Sequence, residues 1–128
     1  MKENKLTITI KAPAELVFEA ALNPNNTPKW FDGIVEEVVE GQPVGIGSIY
    51  KNRGESGGWN YHPVVAFEKD RLFELSSKDG SYHVRYTFVS KGDSTELEYY
   101  EWDNNELDEP FDLDGLNKLK QLIEKKHG

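Results

Sequence analysis

The sequence contains no cysteine, which excludes disulfides, thiolate nucleophiles and cysteine-ligated metal sites. It has no run approaching the ~20 apolar residues that a membrane-spanning helix requires. Its first residues, MKENKLTITIK, lack the apolar core of a secretory signal, and the missing cysteines fit a reducing compartment, so a cytoplasmic protein is expected. Positive charge is scarce: 15 Lys and Arg stand against 23 Asp and Glu, a net charge of −8. Phosphate backbones and anionic lipids need a positive surface, so neither nucleic-acid binding nor membrane insertion is expected. Catalytic signatures are missing too. There is no Gly-x-Ser-x-Gly, and Ser48, Ser56 and Ser81 have no histidine at a telling distance. Gly45-Ile46-Gly47 lacks the further glycine and the lysine of a phosphate-binding loop. His62, His83 and His127 show no paired spacing, and no metal or cofactor is expected.

What is present is a change of period. Residues 5–11 alternate Leu6, Ile8 and Ile10 against Thr7, Thr9 and Lys11, which reads as a half-buried strand. Pro13 then opens a helix whose apolar face is Ala14, Val17, Phe18, Ala21 and Leu22. Thr27-Pro28 starts a second, shorter helix with Thr27 as its expected cap and Trp30-Phe31 to bury. Residues 34–103 read as strands at even spacing, joined by turns such as Lys69-Asp70 and Asp79-Gly80, with positive φ also expected among the glycines of 54–58. From residue 112 the period becomes helical, with Leu113, Leu116, Leu119, Leu122 and Ile123 on one stripe and Asp112 at the N-terminus. Such a helix is marginal alone, so its stripe must be covered by the sheet. One domain spanning residues 1–128 is expected, since no repeat or linker interrupts the pattern.

The order of these elements and their local wording carry a resemblance. IKAPAELVFEAALNP (residues 10–24), TPKWFDGI (27–34), VGIGSIY (44–50), VVAFEKDRLFEL (64–75) and GDSTELEYYEW (92–102) together resemble the START-like superfamily, also called SRPBCC. This is the helix-grip fold of the birch pollen allergen, and the likeness is greatest to its polyketide cyclase and dehydrase-like branch. The resemblance implies an α+β fold in which a curved antiparallel sheet of about six or seven strands wraps a C-terminal helix, with two short helices after the first strand. It further implies a cavity between sheet and helix that holds an apolar or aromatic small molecule. About fifteen helical residues span only about 22 Å, which favours a small or open cavity.

Strand parity then selects candidates. On the strand entered at Trp59, alternation puts Trp59, Tyr61, Pro63, Val65 and Phe67 on the cavity face unless a bulge intervenes. Tyr82, Val84, Tyr86 and Phe88 share a face of another strand, and Leu97, Tyr99 and Glu101 a face of the last. The expected ligand-contacting set is Trp30, Trp59, Tyr61, Tyr82, Tyr86, Tyr99, Leu116, Leu119 and Ile123. Glu101 and His62 are the acid–base candidates for a cyclase- or dehydratase-type enzyme, Glu101 because burial raises a carboxyl pKa. Between residues 93 and 114 every charged residue is acidic, and this run offers a third reading as a docking surface for a basic partner, through Glu106, Asp108 and Glu109. A calcium loop there fails on sequence, because Leu107 and Asp108 stand where an oxygen ligand and a glycine are needed.

Overall fold

A computed structural model describes residues 2–107 and 109–127 of the chain. Strand β1 (Glu3–Ile10) leads into α1 (Ala14–Leu22) and the one-turn α2 (Thr27–Trp30). Six strands follow: β2 (Glu36–Glu40), β3 (Ile49–Arg53), β4 (Asn60–Glu68), β5 (Leu72–Ser76), β6 (Tyr82–Ser90) and β7 (Thr95–Asp103). Helix α3 (Leu113–His127) closes the chain. The seven strands form one antiparallel sheet in the order β1-β7-β6-β5-β4-β3-β2, so β2 to β7 is a meander and β1 is added beside its last strand. This is the helix-grip arrangement that the sequence implies.

Side-chain alternation explains the core. Along β7, Thr95, Leu97, Tyr99 and Glu101 are buried while the residues between them are not, and β6 buries Val84, Tyr86 and Phe88 in register beside them. Helix α1 lays Phe18 onto this face, edge-on to Phe67, Phe73 and Phe88 at ring separations of 5.2 to 5.7 Å. Leu116 and Leu119 of α3 are fully buried against the same layer, each worth about 1.5–3 kcal/mol of burial. Leu113, at the edge of the expected stripe, is exposed instead. The start of α3 is capped as the sequence predicts: the Gly115 N–H donates to Asp112 Oδ1 at 3.2 Å. Thr95 Oγ1 donates to the Ala12 carbonyl at 2.8 Å, satisfying a buried oxygen where β1 turns into α1.

Two expectations of local geometry are corrected. Pairing shifts by one residue between Val64 and Ala66, because Val65 is a bulge opposite the Leu75–Glu74 step of β5. Beyond the bulge Phe67 faces the core as expected, but before it the parity is reversed. Asn60, His62 and Val64 therefore point inward, and Trp59 and Tyr61 lie exposed on the outer face. The positive φ expected among residues 54–58 is not taken there; the glycines that adopt it include Gly80, in the β5–β6 turn, at 79°. Asp70 adopts it in the β4–β5 turn, with φ of 64°.

Candidate functional site

The helices pack chiefly on β1 and β6, and the inner face of the sheet beyond them borders a hollow of about 330 Å³. One wall is aromatic: Trp30 and Phe31 from α2 and its C-cap, Phe73 from β5, Tyr82 and Tyr86 from β6, and Tyr99 from β7. Phe73 stacks on Tyr86 at 4.5 Å, and Tyr86 meets Tyr99 and Trp30 edge-on at 5.2 and 6.3 Å. The other wall is polar and is set by strand register. Glu37 of β2 lies opposite Asn52 of β3, which lies opposite Asn60 of β4. One step along, Tyr50 lies opposite His62. All five side chains border the hollow.

Glu37 is the charged group inside. Its Oε1 accepts from Thr27 Oγ1 at 2.6 Å and its Oε2 from Asn52 Nδ2 at 3.2 Å. Burial pushes its pKa above the ordinary 4.5, and the two hydrogen bonds oppose that rise without cancelling it. Thr27 was the expected cap of α2, but no side chain caps that helix; the Thr27 hydroxyl turns to Glu37 instead. Burial lowers the pKa of His62, whose Nδ1 is buried without a hydrogen-bond partner. Tyr50 donates to the Leu22 carbonyl at 2.6 Å, and burial first, with the Glu37 charge second, drives its pKa up. Burial also holds Tyr82, Tyr86 and Tyr99 protonated. Trp30 Nε1, on the aromatic wall, is likewise buried without a hydrogen-bond partner.

Glu101 sits behind the aromatic wall rather than in the hollow. Its Oε1 accepts from Tyr82 Oη at 2.8 Å, and its Oε2 from Asn4 Nδ2 at 2.8 Å and the Phe111 N–H at 2.7 Å. Asn4 also donates to the Phe111 carbonyl at 2.8 Å. Phe111 is thereby fixed, and its ring stacks on Phe31 at 4.6 Å and lies 4.8 Å from Tyr99. A Cβ on Gly115 would overlap that ring, so the glycine is needed for Phe111 to lie against α3. The buried Glu101 carboxylate thus anchors the segment that leads into the closing helix. Arg85 is engaged on the outer face with Glu74 at 2.6 Å, beside His83 at 2.8 Å from the same carboxylate.

Of the residues singled out by sequence, Trp30, His62, Tyr82, Tyr86 and Tyr99 border the hollow. Trp59 and Tyr61 do not; on the outer face they carry Arg53 and Lys51 over their rings at 5.7 and 5.2 Å. Leu116, Leu119 and Ile123 pack in the core, and Ile123 also borders a groove between α1 and α3. In the acidic run, Asp112 and Glu101 have the structural bonds described, Asp103 Oδ1 accepts from the Asn105 N–H, and Asp108 lies outside the described residues. Glu37, Thr27, Asn52 and Asn60 were missed by sequence. The available signal was the alternation Val35, Glu37, Val39, which puts one carboxyl on the same face as two valines. Among the described residues no three His, Asp or Glu side chains converge as metal ligands, and no helix is long and apolar enough to cross a membrane.

The fold has many counterparts. A START superfamily protein from Mycobacterium smegmatis superposes with a TM-score of 0.71 at 18% identity, over 98% of this chain and 97% of that one. The Aha1 dimer structure from Colwellia psychrerythraea gives 0.73 at 18% identity, over 100% of both chains. Norcoclaurine synthase from Thalictrum flavum, in complex with dopamine and hydroxybenzaldehyde, gives 0.65 at 13% identity, over 98% of this chain and 86% of that one. No curated protein matches by sequence. The family model for polyketide cyclase / dehydrase and lipid transport proteins matches residues 1–124. With the sheet, the closing helix and this match in agreement, the chain belongs to that family and has the fold of the START (SRPBCC) superfamily.

Proposed function

We propose that the hollow beside β2–β4 binds one small apolar or aromatic molecule. The observation that carries this reading is the contrast between its walls: aromatic rings on one side and, on the other, polar side chains whose hydrogen-bonding capacity the fold leaves partly unused. His62 Nδ1 on the polar wall is buried without a hydrogen-bond partner, and so is Trp30 Nε1 on the aromatic one. A cavity of about 330 Å³ sits at the small end of the range of about 300–1,000 Å³ common for ligand sites. The complex of norcoclaurine synthase with dopamine and hydroxybenzaldehyde supports a ligand of that scale. Native mass spectrometry of freshly purified protein tests the reading, followed by thermal shifts with a library of small aromatics. A ligand at 100 times its Kd stabilises the fold by about 2.7 kcal/mol, and Leu75→Trp, which fills the cavity, abolishes the effect. If no compound stabilises the protein, or Leu75→Trp binds equally well, the reading fails.

One observation favours a second reading, proton transfer to or from the bound molecule. Glu37 is a desolvated carboxyl with a raised pKa, and His62 nearby is held neutral. Glu101 is less suited to this role, since both of its oxygens are engaged in holding Tyr82, Asn4 and Phe111. Glu37→Gln abolishing turnover while binding persists would support catalysis; unchanged turnover would remove it.

A further inference from the structure

We infer that this cavity selects molecules carrying a positive charge, a protonated amine or quaternary ammonium on a small apolar body, with Glu37 as the counter-ion. The inference rests on the binding reading above and adds the sign of the ligand's charge.

The three carboxylates of β2 are treated differently by the strand beside them. Glu36 pairs with Arg53 at 2.8 Å and Glu40 pairs with Lys51, both on β3. Glu37, which faces the hollow, receives only the neutral Thr27 hydroxyl and Asn52 amide. No lysine or arginine borders the hollow among the described residues, and its other acidic group is Glu109, exposed at the rim. His62 does not supply the missing charge. A protonated imidazole carries an N–H on both nitrogens, and its buried Nδ1 has no acceptor. Glu37 is therefore an interior carboxyl with two of its roughly four lone-pair sites used and, among the described residues, no cation paired with it.

The surroundings agree in sign. The rings of Trp30, Tyr50 and Tyr86 border the hollow, and aromatic rings attract organic cations. A second hollow shares Trp30, Phe31, Tyr82 and Glu109 with the first and adds Glu101, Asp103, Glu106 and Asp112. Entry past these carboxylates, on a protein of net charge −8, is favoured for cations and disfavoured for anions.

Three molecules of matched shape test the inference by calorimetry at pH 7 and low salt: 2-phenylethylamine, 2-phenylethanol and phenylacetate. The amine is expected to bind about tenfold or more tightly than the alcohol, as a charge-assisted hydrogen bond exceeds a neutral one, and phenylacetate is expected not to bind. Glu37→Gln should reduce the amine's advantage to within about threefold and leave the alcohol unchanged. A measurement on the unaltered protein guards against a misfolded variant: between pH 7 and pH ~4.5 the amine should weaken and the alcohol should not. Tyr50, Tyr82, Tyr86, Tyr99, His62 and Glu109 are the other titratable groups around this site, and Glu109→Gln separates the rim from the interior. Equal binding of alcohol and amine, tighter binding of phenylacetate, or an amine preference that survives Glu37→Gln overturns the inference while leaving the binding reading intact. If none of the three binds and a wider neutral library also fails, both fall together.

Discussion

The two halves of the sheet obey different rules. In the half made of β1, β7, β6 and β5, inward side chains are largely apolar or aromatic, and the buried Thr95 and Glu101 have partners: Thr95 serves Ala12, and Glu101 takes three donors. In the half made of β4, β3 and β2, the inward side chains include Asn60, His62, Tyr50, Asn52 and Glu37 as well as Val64 and Phe67, and His62 has a buried nitrogen without a partner. The first half is built to hold the chain together. The second carries costs that stability alone does not explain, as sites built for binding commonly do.

Substitutions that break this comparison are expected to fall in order. Leu119→Ala, beneath the closing helix, should destabilise by about 2–5 kcal/mol in chemical denaturation, because it leaves a cavity in the packed half. Gly115→Ala should cost about 1–3 kcal/mol by driving a methyl into the Phe111 ring; a neutral result would mean that ring is free to move aside. Glu101→Gln presents one acceptor oxygen where the carboxylate has two, strands a buried donor, and should cost about 1–3 kcal/mol.

The polar half should respond in the opposite sense. Glu37 has a folded-state pKa above 4.5, so its burial is tolerated best when it is protonated. Its penalty is absent below the unfolded value, grows as pH rises through the folded pKa, and is complete above it. Melting curves of wild type and Glu37→Gln should therefore diverge as pH climbs from about 4.5, with the variant the more stable at neutral pH. Equal slopes would mean that the carboxyl is effectively solvated. The smallest effect belongs to the outer face: Tyr61→Ala should change stability by no more than about 0.5–1 kcal/mol, the worth of an exposed cation–π contact, and leave ligand binding untouched.

What the sequence made legible follows the same division. Strands β6 and β7 run without interruption, so strict alternation puts Tyr82, Tyr86, Tyr99 and Glu101 inward. The leucine spacing of α3 puts Leu116 and Leu119 on the stripe the sheet must cover, and the structure packs them in the core rather than along the hollow. Residues of the polar half were harder to see. Asn52 and Asn60 resemble ordinary surface residues, Thr27 resembles a helix cap, and Glu37 sits in the string EEVVE, where its exposed neighbours disguise it. Their meaning depends on which strands become neighbours. The packing of Phe111 against Gly115 is likewise tertiary, made by a loop folding back onto the helix that follows it.

The extra residue at Val65 gives this fold an unusual lever. Everything on β4 before it is shifted by half a pleat relative to everything after it. If Val65 were instead paired as a regular ladder residue, with Phe67 kept in place, the preceding segment would rotate, sending His62 out to solvent and bringing Tyr61 and Trp59 in. A slip of one residue in pairing would then exchange an imidazole and an amide for two large aromatic rings, with no substitution at all. The pairing of this strand, as much as the identity of any side chain along it, decides which groups border the hollow.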